Sequence, residues 1–174
     1  MVDLLRFTLK QRDLPPKAIE FIFDAFKALR ETAEPAVPYL LELAQGPEGH
    51  EATMRSIGLL GWMGPVSREQ AAPIIAKILF TDAKHRQQDS LIGAMAGFGE
   101  LSIPLALEEL KLGEKNNDLS KQDAAIKVIE RLGLIGINVK AALPDLKRIA
   151  EDKRHQLRTF AQLALSRIQR TNGQ

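Results

Sequence analysis

The sequence predicts an all-α chain, a solenoid of alternating helices. Three observations carry that expectation. First, four short segments are versions of one another. They are Ala36-Val37-Pro38-Tyr39-Leu40-Leu41, Ala71-Ala72-Pro73-Ile74-Ile75, Ser102-Ile103-Pro104-Leu105-Ala106-Leu107 and Ala142-Leu143-Pro144-Asp145-Leu146. Each sets one proline in the same apolar frame, and the prolines stand 35, 31 and 40 residues apart. A period of this length marks units that bury their apolar faces against their neighbours. Second, every proline segment is followed by a further apolar stripe at helical spacing. Third, no stretch alternates apolar and polar residues as a strand would.

The elements follow in order. Asp13 with Pro15-Pro16 is a helix-start signal, and Ile19, Ile22, Phe23 and Phe26 give the first stripe. After Pro38 come Met54, Ile57 and Leu60; after Pro73, Leu91, Ile92, Met95 and Phe98. After Pro104 come Ala125, Val128, Ile129 and Leu132; after Pro144, Leu157, Phe160, Ala161, Ala164, Leu165 and Ile168. All of these are expected to face the core. Each proline is expected near the start of its helix, where its missing N–H costs nothing. The joints are the polar turns Gly46–Gly49, Thr81-Asp82 and Glu151–Lys153, with Gly64-Pro65, Gly99 and Gly136 as helix stops. Ser120 with Asp123 resembles a capping pair. Gly113–Asp118 reads as an insertion, either a mobile recognition loop or a tolerated surface insertion. The chain reads as one domain, 1–174, with residues 1–16 as a cap and repeats at about 17–34, 35–64, 65–99, 100–136 and 137–170.

Composition narrows the function classes. The hydrophobic share is 45% and the charged share 26%, ordinary for a soluble protein, while only 5% is aromatic, so the core must be aliphatic. With no cysteine there is no disulfide, thiolate nucleophile or cysteine metal site. Met1–Arg6 lacks the basic stretch and apolar run of a signal peptide. The longest apolar segment, Ile57–Val66, is half of the ~20 residues a membrane helix needs. A cytoplasmic protein with no membrane partner is expected. Charge is unevenly placed: residues 20–52 hold seven acids and two bases, a net of −5, and residues 145–170 hold seven bases and three acids, a net of +4. That polarity is compatible with a monomer or with weak head-to-tail self-association.

The last unit carries a family resemblance. Ala141-Ala142-Leu143-Pro144-Asp145-Leu146, Glu151-Asp152, then Leu157-Arg158, Ala161, Ala164-Leu165 and Ile168 resemble a HEAT repeat. The endings Leu60-Gly61-Trp62-Met63-Gly64 and Leu132-Gly133-Leu134-Ile135-Gly136 resemble that family's Leu-Gly-x-Ile-Gly. The short period is similar to the compact bacterial HEAT-like subgroup, over about residues 17–170. The resemblance implies an α-α superhelix, an armadillo-like solenoid of about four and a half helix pairs, with first helices on the convex side and second helices on the concave side. It implies a binder of proteins, less often of nucleic acid, and not an enzyme.

Counting outward from the apolar stripes, the concave surface offers Glu51, Arg55 and Trp62; Arg86, Ser90, Gly93 and Gly97; Asp123, Lys127 and Glu130; and His155, Thr159, Gln162 and Ser166. Protein or peptide binding is therefore expected at Arg55, Trp62, Arg86, Ser90, Lys127 and Glu130. Trp62, the only tryptophan, either anchors a partner beside the glycines or packs on the next turn while the glycines let helices approach. The basic end, Lys147, Arg148, Lys153, Arg154 and Arg158, offers the alternative of a nucleic-acid-associated module. It has no aromatic interleaving. A third alternative is an accessory subunit of an enzyme, such as a bilin-lyase-like protein.

No catalytic or metal-binding residue is expected, and no cofactor. His50, His85 and His155 fall at corresponding turns. Helix axes ~8–10 Å apart are poorly matched to zinc donors at ~2.0–2.1 Å, so solvated turn histidines are expected. The repeated His-Glu pairs of the HEAT-fold hydroxylase that binds two irons are present once here, as His50-Glu51, so that site cannot be built. There is no glycine-rich phosphate loop.

Overall fold

The computed structural model describes residues 15–45, 51–61 and 64–172. Among the described residues the chain forms α-helices and short 3-10 turns and no strand. Helix α1 spans Pro16–Leu29, α2 Val37–Ala44, α3 Glu51–Leu60, α4 Pro65–Thr81, α5 Asp89–Gly97, α6 Ser102–Lys115, α7 Leu119–Leu134, α8 Leu143–Glu151 and α9 Arg158–Asn172.

The helices form two layers. Among the described residues, four pairs, α2/α3, α4/α5, α6/α7 and α8/α9, follow α1. The second helices stack in sequence order, α1 on α3, α3 on α5, α5 on α7 and α7 on α9. The first helices α2, α4 and α6 stack likewise, and the 3-10 turn Lys140–Ala142 links α6 to α8. This is an all-α solenoid. One continuous cluster fills the space between the layers, from Ile22, Phe23 and Phe26 through Leu60, Leu79, Met95 and Ile129 to Ile168. Its members are largely Leu, Ile and Ala, as the low aromatic content requires, and each fully buried large side chain contributes about 1.5–3 kcal/mol.

The prolines act as helix starters at three of the four repeats. Pro38 and Pro144 lie in the first two positions of α2 and α8, and Pro104 is the third residue of α6. Pro73 departs from the expectation. Gly64, in an extended conformation, and Pro65 open α4 two turns earlier, so Pro73 lies inside the helix. Its ring is exposed, so water can reach the carbonyl that its missing N–H leaves without an intrahelical partner. Gly99 and Gly136 end α5 and α7 with φ of +65° and +83°, a backbone that side-chain-bearing residues adopt only under strain.

Three further expectations are corrected. Asp118, not Ser120, caps α7: its carboxylate accepts the Lys121 N–H. The segment Gly113–Asp118 is no recognition loop. Gly113–Lys115 finish α6, Asn116 and Asn117 turn the chain, and the Asp118 N–H bonds the Gly113 carbonyl at 2.8 Å. And Phe160 leaves the stripe assigned to it: it is 52% exposed.

Candidate functional site

The sequence-predicted binding residues scatter when placed on this frame. Trp62 and His50 lie outside the described residues. Arg55 is half-buried on α3, and Ser90 is exposed in the first turn of α5. At the ends of α3 and α5, Gly61 and Gly97 meet back to back. A Cβ added to Gly97 would stand 3.3 Å from the Gly61 Cα. These glycines serve close helix approach there, and Gly93 has open space over it.

Arg86 is the clearest correction. The outward count assumed a helix running through it, but His85–Gln87 is a 3-10 turn and α5 starts only at Asp89. The side chain turns inward and is 7% exposed. Its Nη1 donates to both carboxylate oxygens of Asp118 at 2.8 Å, and its Nε and Nη2 donate to the Phe80 carbonyl at 3.2 and 3.0 Å. One guanidinium thus ties the end of α4 to the start of α7. Burial works against the Asp118 charge, but the Lys121 N–H and the Arg86 fork outweigh it and hold the carboxyl below its usual range. This arginine is a clamp inside the stack and is not available to a groove.

Lys127 and Glu130 do come together, on successive turns of α7. Lys127 Nζ is 2.8 Å from Asp123 Oδ2, and Arg167 of α9 donates to Glu130 at 2.7 Å. They line a crevice of about 260 Å³ with Asp89 and Ile92 of α5, Arg131 and Leu134 of α7, and Arg167. The crevice is bounded only by second-layer helices and crosses three consecutive ones. Its floor is apolar, from Ile92 and Leu134, and its walls carry both signs of charge. Asp89, Arg131, Leu134 and Arg167 were not among the residues expected to bind a protein or peptide. The spacing could have found two of them, because Arg131 and Leu134 stand four residues after Lys127 and Glu130 and so share their face. Asp89 and Arg167 come from other helices, and only the stacking brings them in.

The basic end is partly consumed. Arg148 donates to Glu114 at 2.7 Å and also pairs with Asp145 at 3.3 Å; the Glu114 hydrogen bond chiefly raises its pKa. Arg158 Nε donates to the Ala150 carbonyl at 3.2 Å. Lys147, Lys153 and Arg154 are exposed.

His85 and His155 are half-buried rather than solvated. His85 Nδ1 lies 3.1 Å from the Ile78 carbonyl, which can only accept, and His155 Nδ1 accepts the Leu157 N–H at 3.1 Å. Each histidine braces its own turn. Among the described residues no three His, Asp or Glu side chains group as metal ligands, and no single helix is long and apolar enough to cross a membrane. No protein-family model, curated protein or solved structure matches this chain.

Proposed function

We propose that this protein is a non-enzymatic scaffold of the HEAT-like kind that holds a protein or peptide partner along its second-helix layer, in the cytoplasm. The observation that supports the reading is the crevice across α5, α7 and α9. It combines an apolar floor, where a side chain can be desolvated, with fixed charges of both signs, where a backbone and polar side chains can be oriented. Lys127 and Glu130 are its central residues, and Ser90 lies on the same α5 turn as Asp89. Arg131 stands in the role first given to Arg86. The nucleic-acid alternative draws less support, because Arg148 and Arg158 of the basic end already hold intramolecular partners.

A photo-crosslinking amino acid at Leu134, in the crevice, tests the reading against one at Leu112, exposed on the first-layer helix α6. In nuclease-treated lysate, one protein captured from Leu134 and not from Leu112, and lost with Arg131→Glu, is the expected outcome. Equal capture from both positions would refute it. Capture that disappears with nuclease would favour nucleic acid.

A further inference from the structure

A second cavity, of about 280 Å³, opens at the other edge of the stack, where the end of α2 and the body of α3 meet the end of α4 and the turn into α5. Its floor is apolar: Ala44, Ile57, Ile74, Ile78 and Leu91. No helix of the proposed partner crevice except α5 contributes to it, and the two share no residue.

Two polar features converge on this apolar floor. Thr53 lines the cavity from α3 and is 6% exposed. Among the described residues its hydroxyl makes no hydrogen bond. It opens to the cavity and is not one of the sealed side-chain atoms that lack a partner among the described residues, such as Ser67 Oγ, so it is free to bond a ligand there. Lys77, on α4, sets an exposed ammonium at the rim with no carboxylate paired to it among the described residues. Asp82 is the one acid on the rim, and its Oδ1 is engaged by the Lys84 N–H at 3.0 Å. His85, also on the rim, has its Nδ1 against the Ile78 carbonyl. Gln45, Thr81 and Gln88 also line the cavity, and Gln45 donates to the Leu41 carbonyl at 2.9 Å; among the described residues Lys77 is the one lysine or arginine over the aliphatic floor.

We propose that this cavity binds a small amphipathic monocarboxylate. Its apolar body lies on Ile57, Ile74, Ile78 and Leu91, and its carboxylate takes the Thr53 hydroxyl hydrogen bond and the Lys77 charge. A neutral alcohol would lose the charge, and an amine would face Lys77 with like charge.

Octanoate, octanol and octylamine are the probes, titrated into the full chain by calorimetry, with methyl NMR to locate the site. Octanoate is expected to bind best and to shift the Ile57, Ile78 and Leu91 methyls. Thr53→Val keeps the shape and removes the hydroxyl; it should weaken octanoate about tenfold and leave octanol unchanged to within about twofold. Lys77→Gln should abolish the preference for octanoate over octanol. Three results would overturn the proposal: no saturable binding, shifts confined to methyls outside the cavity, or octylamine bound as well as octanoate. Both substitutions spare the large core side chains. Should Thr53→Val fail to fold, Lys77→Gln, on an exposed residue, decides the charge assignment by itself. Crosslinking at Leu134 is insensitive to this outcome, so the two proposals fail separately.

Discussion

Helices α7 and α9 belong to the same layer and follow the same periodicity, yet they bury very different shares of their surface. α7 has α5 on one flank, α9 on the other and α6 beneath, and it buries Ala124, Ala125, Ile126, Val128, Ile129 and Leu132. Among the described residues α9 packs chiefly on α7 and α8, buries Ala161, Ala164 and Ile168, and leaves Phe160 and Leu163 52% and 46% exposed. The lesson is that in a stacked fold the width of the buried stripe is set by the number of neighbours. The sequence period sets only where the stripe is centred.

The strongest way to break the comparison is to truncate equivalent side chains. Ile129→Ala in α7 is expected to cost about 3–4 kcal/mol, because three helices close around the site and the cavity cannot collapse. Phe160→Ala in α9 should stay within about 0.5 kcal/mol, since half its ring is already in water. Urea unfolding followed by circular dichroism measures both. A loss at Phe160 matching that at Ile129 would show that a further surface covers α9 in solution.

The next effect tests how α7 is anchored. Arg86→Met should cost about 2–3 kcal/mol, because it strands the Asp118 carboxylate and the Phe80 carbonyl together. The same pair predicts an acid dependence. Asp118 has a folded pKa depressed below its ordinary 3.8. Its contribution is therefore complete above that value and is lost as pH falls through it toward the folded pKa. Stability profiles of the parent and Arg86→Met should run parallel at neutral pH and draw closer below pH 3.8, leaving the share due to the Phe80 carbonyl. Parallel profiles down through the acid limb would remove Asp118 from the account.

Smaller effects sharpen the picture. Gly136→Ala, at φ +83° just after α7, should cost about 1 kcal/mol by forcing a Cβ into the left-handed region. Arg167→Ala removes the exposed ion pair that joins α9 to α7 and should cost no more than about 0.5 kcal/mol, less at high salt. The contrast between Arg86 and Arg167 sets a buried guanidinium that also holds the Phe80 carbonyl against an exposed one, both binding a carboxylate on α7 or its cap at under 3 Å.

Much of the fold was legible without coordinates. Four prolines in a common frame and a stripe after each are local patterns, and local patterns report helices and their inward faces directly. Gly99 and Gly136 were legible for the same reason. The errors share a cause. Arg86 was turned outward by extending a helix through His85–Gln87, and its partner Asp118, 32 residues on, leaves no local trace. Phe160 was placed inside by extending the stripe on α9, which among the described residues packs chiefly on α7 and α8. Lys127 and Glu130 share a face, as counted from the stripe, because α7 is regular; Asp89 and Arg167 join them in the crevice from other helices, which no local count reaches.

The sequence by itself determined the all-α class, the repeat period, the aliphatic core and the ends of several helices, since these depend on a residue and its neighbours within a few turns. Only the tertiary structure decided which charges are buried clamps and which line a crevice, that Gly113–Asp118 is a tight turn, and that Thr53 opens into a cavity. Those outcomes depend on atoms brought together from distant parts of the chain. A hydrogen bond or a desolvated charge is settled by what stands within about 3 Å of it, which periodicity does not encode.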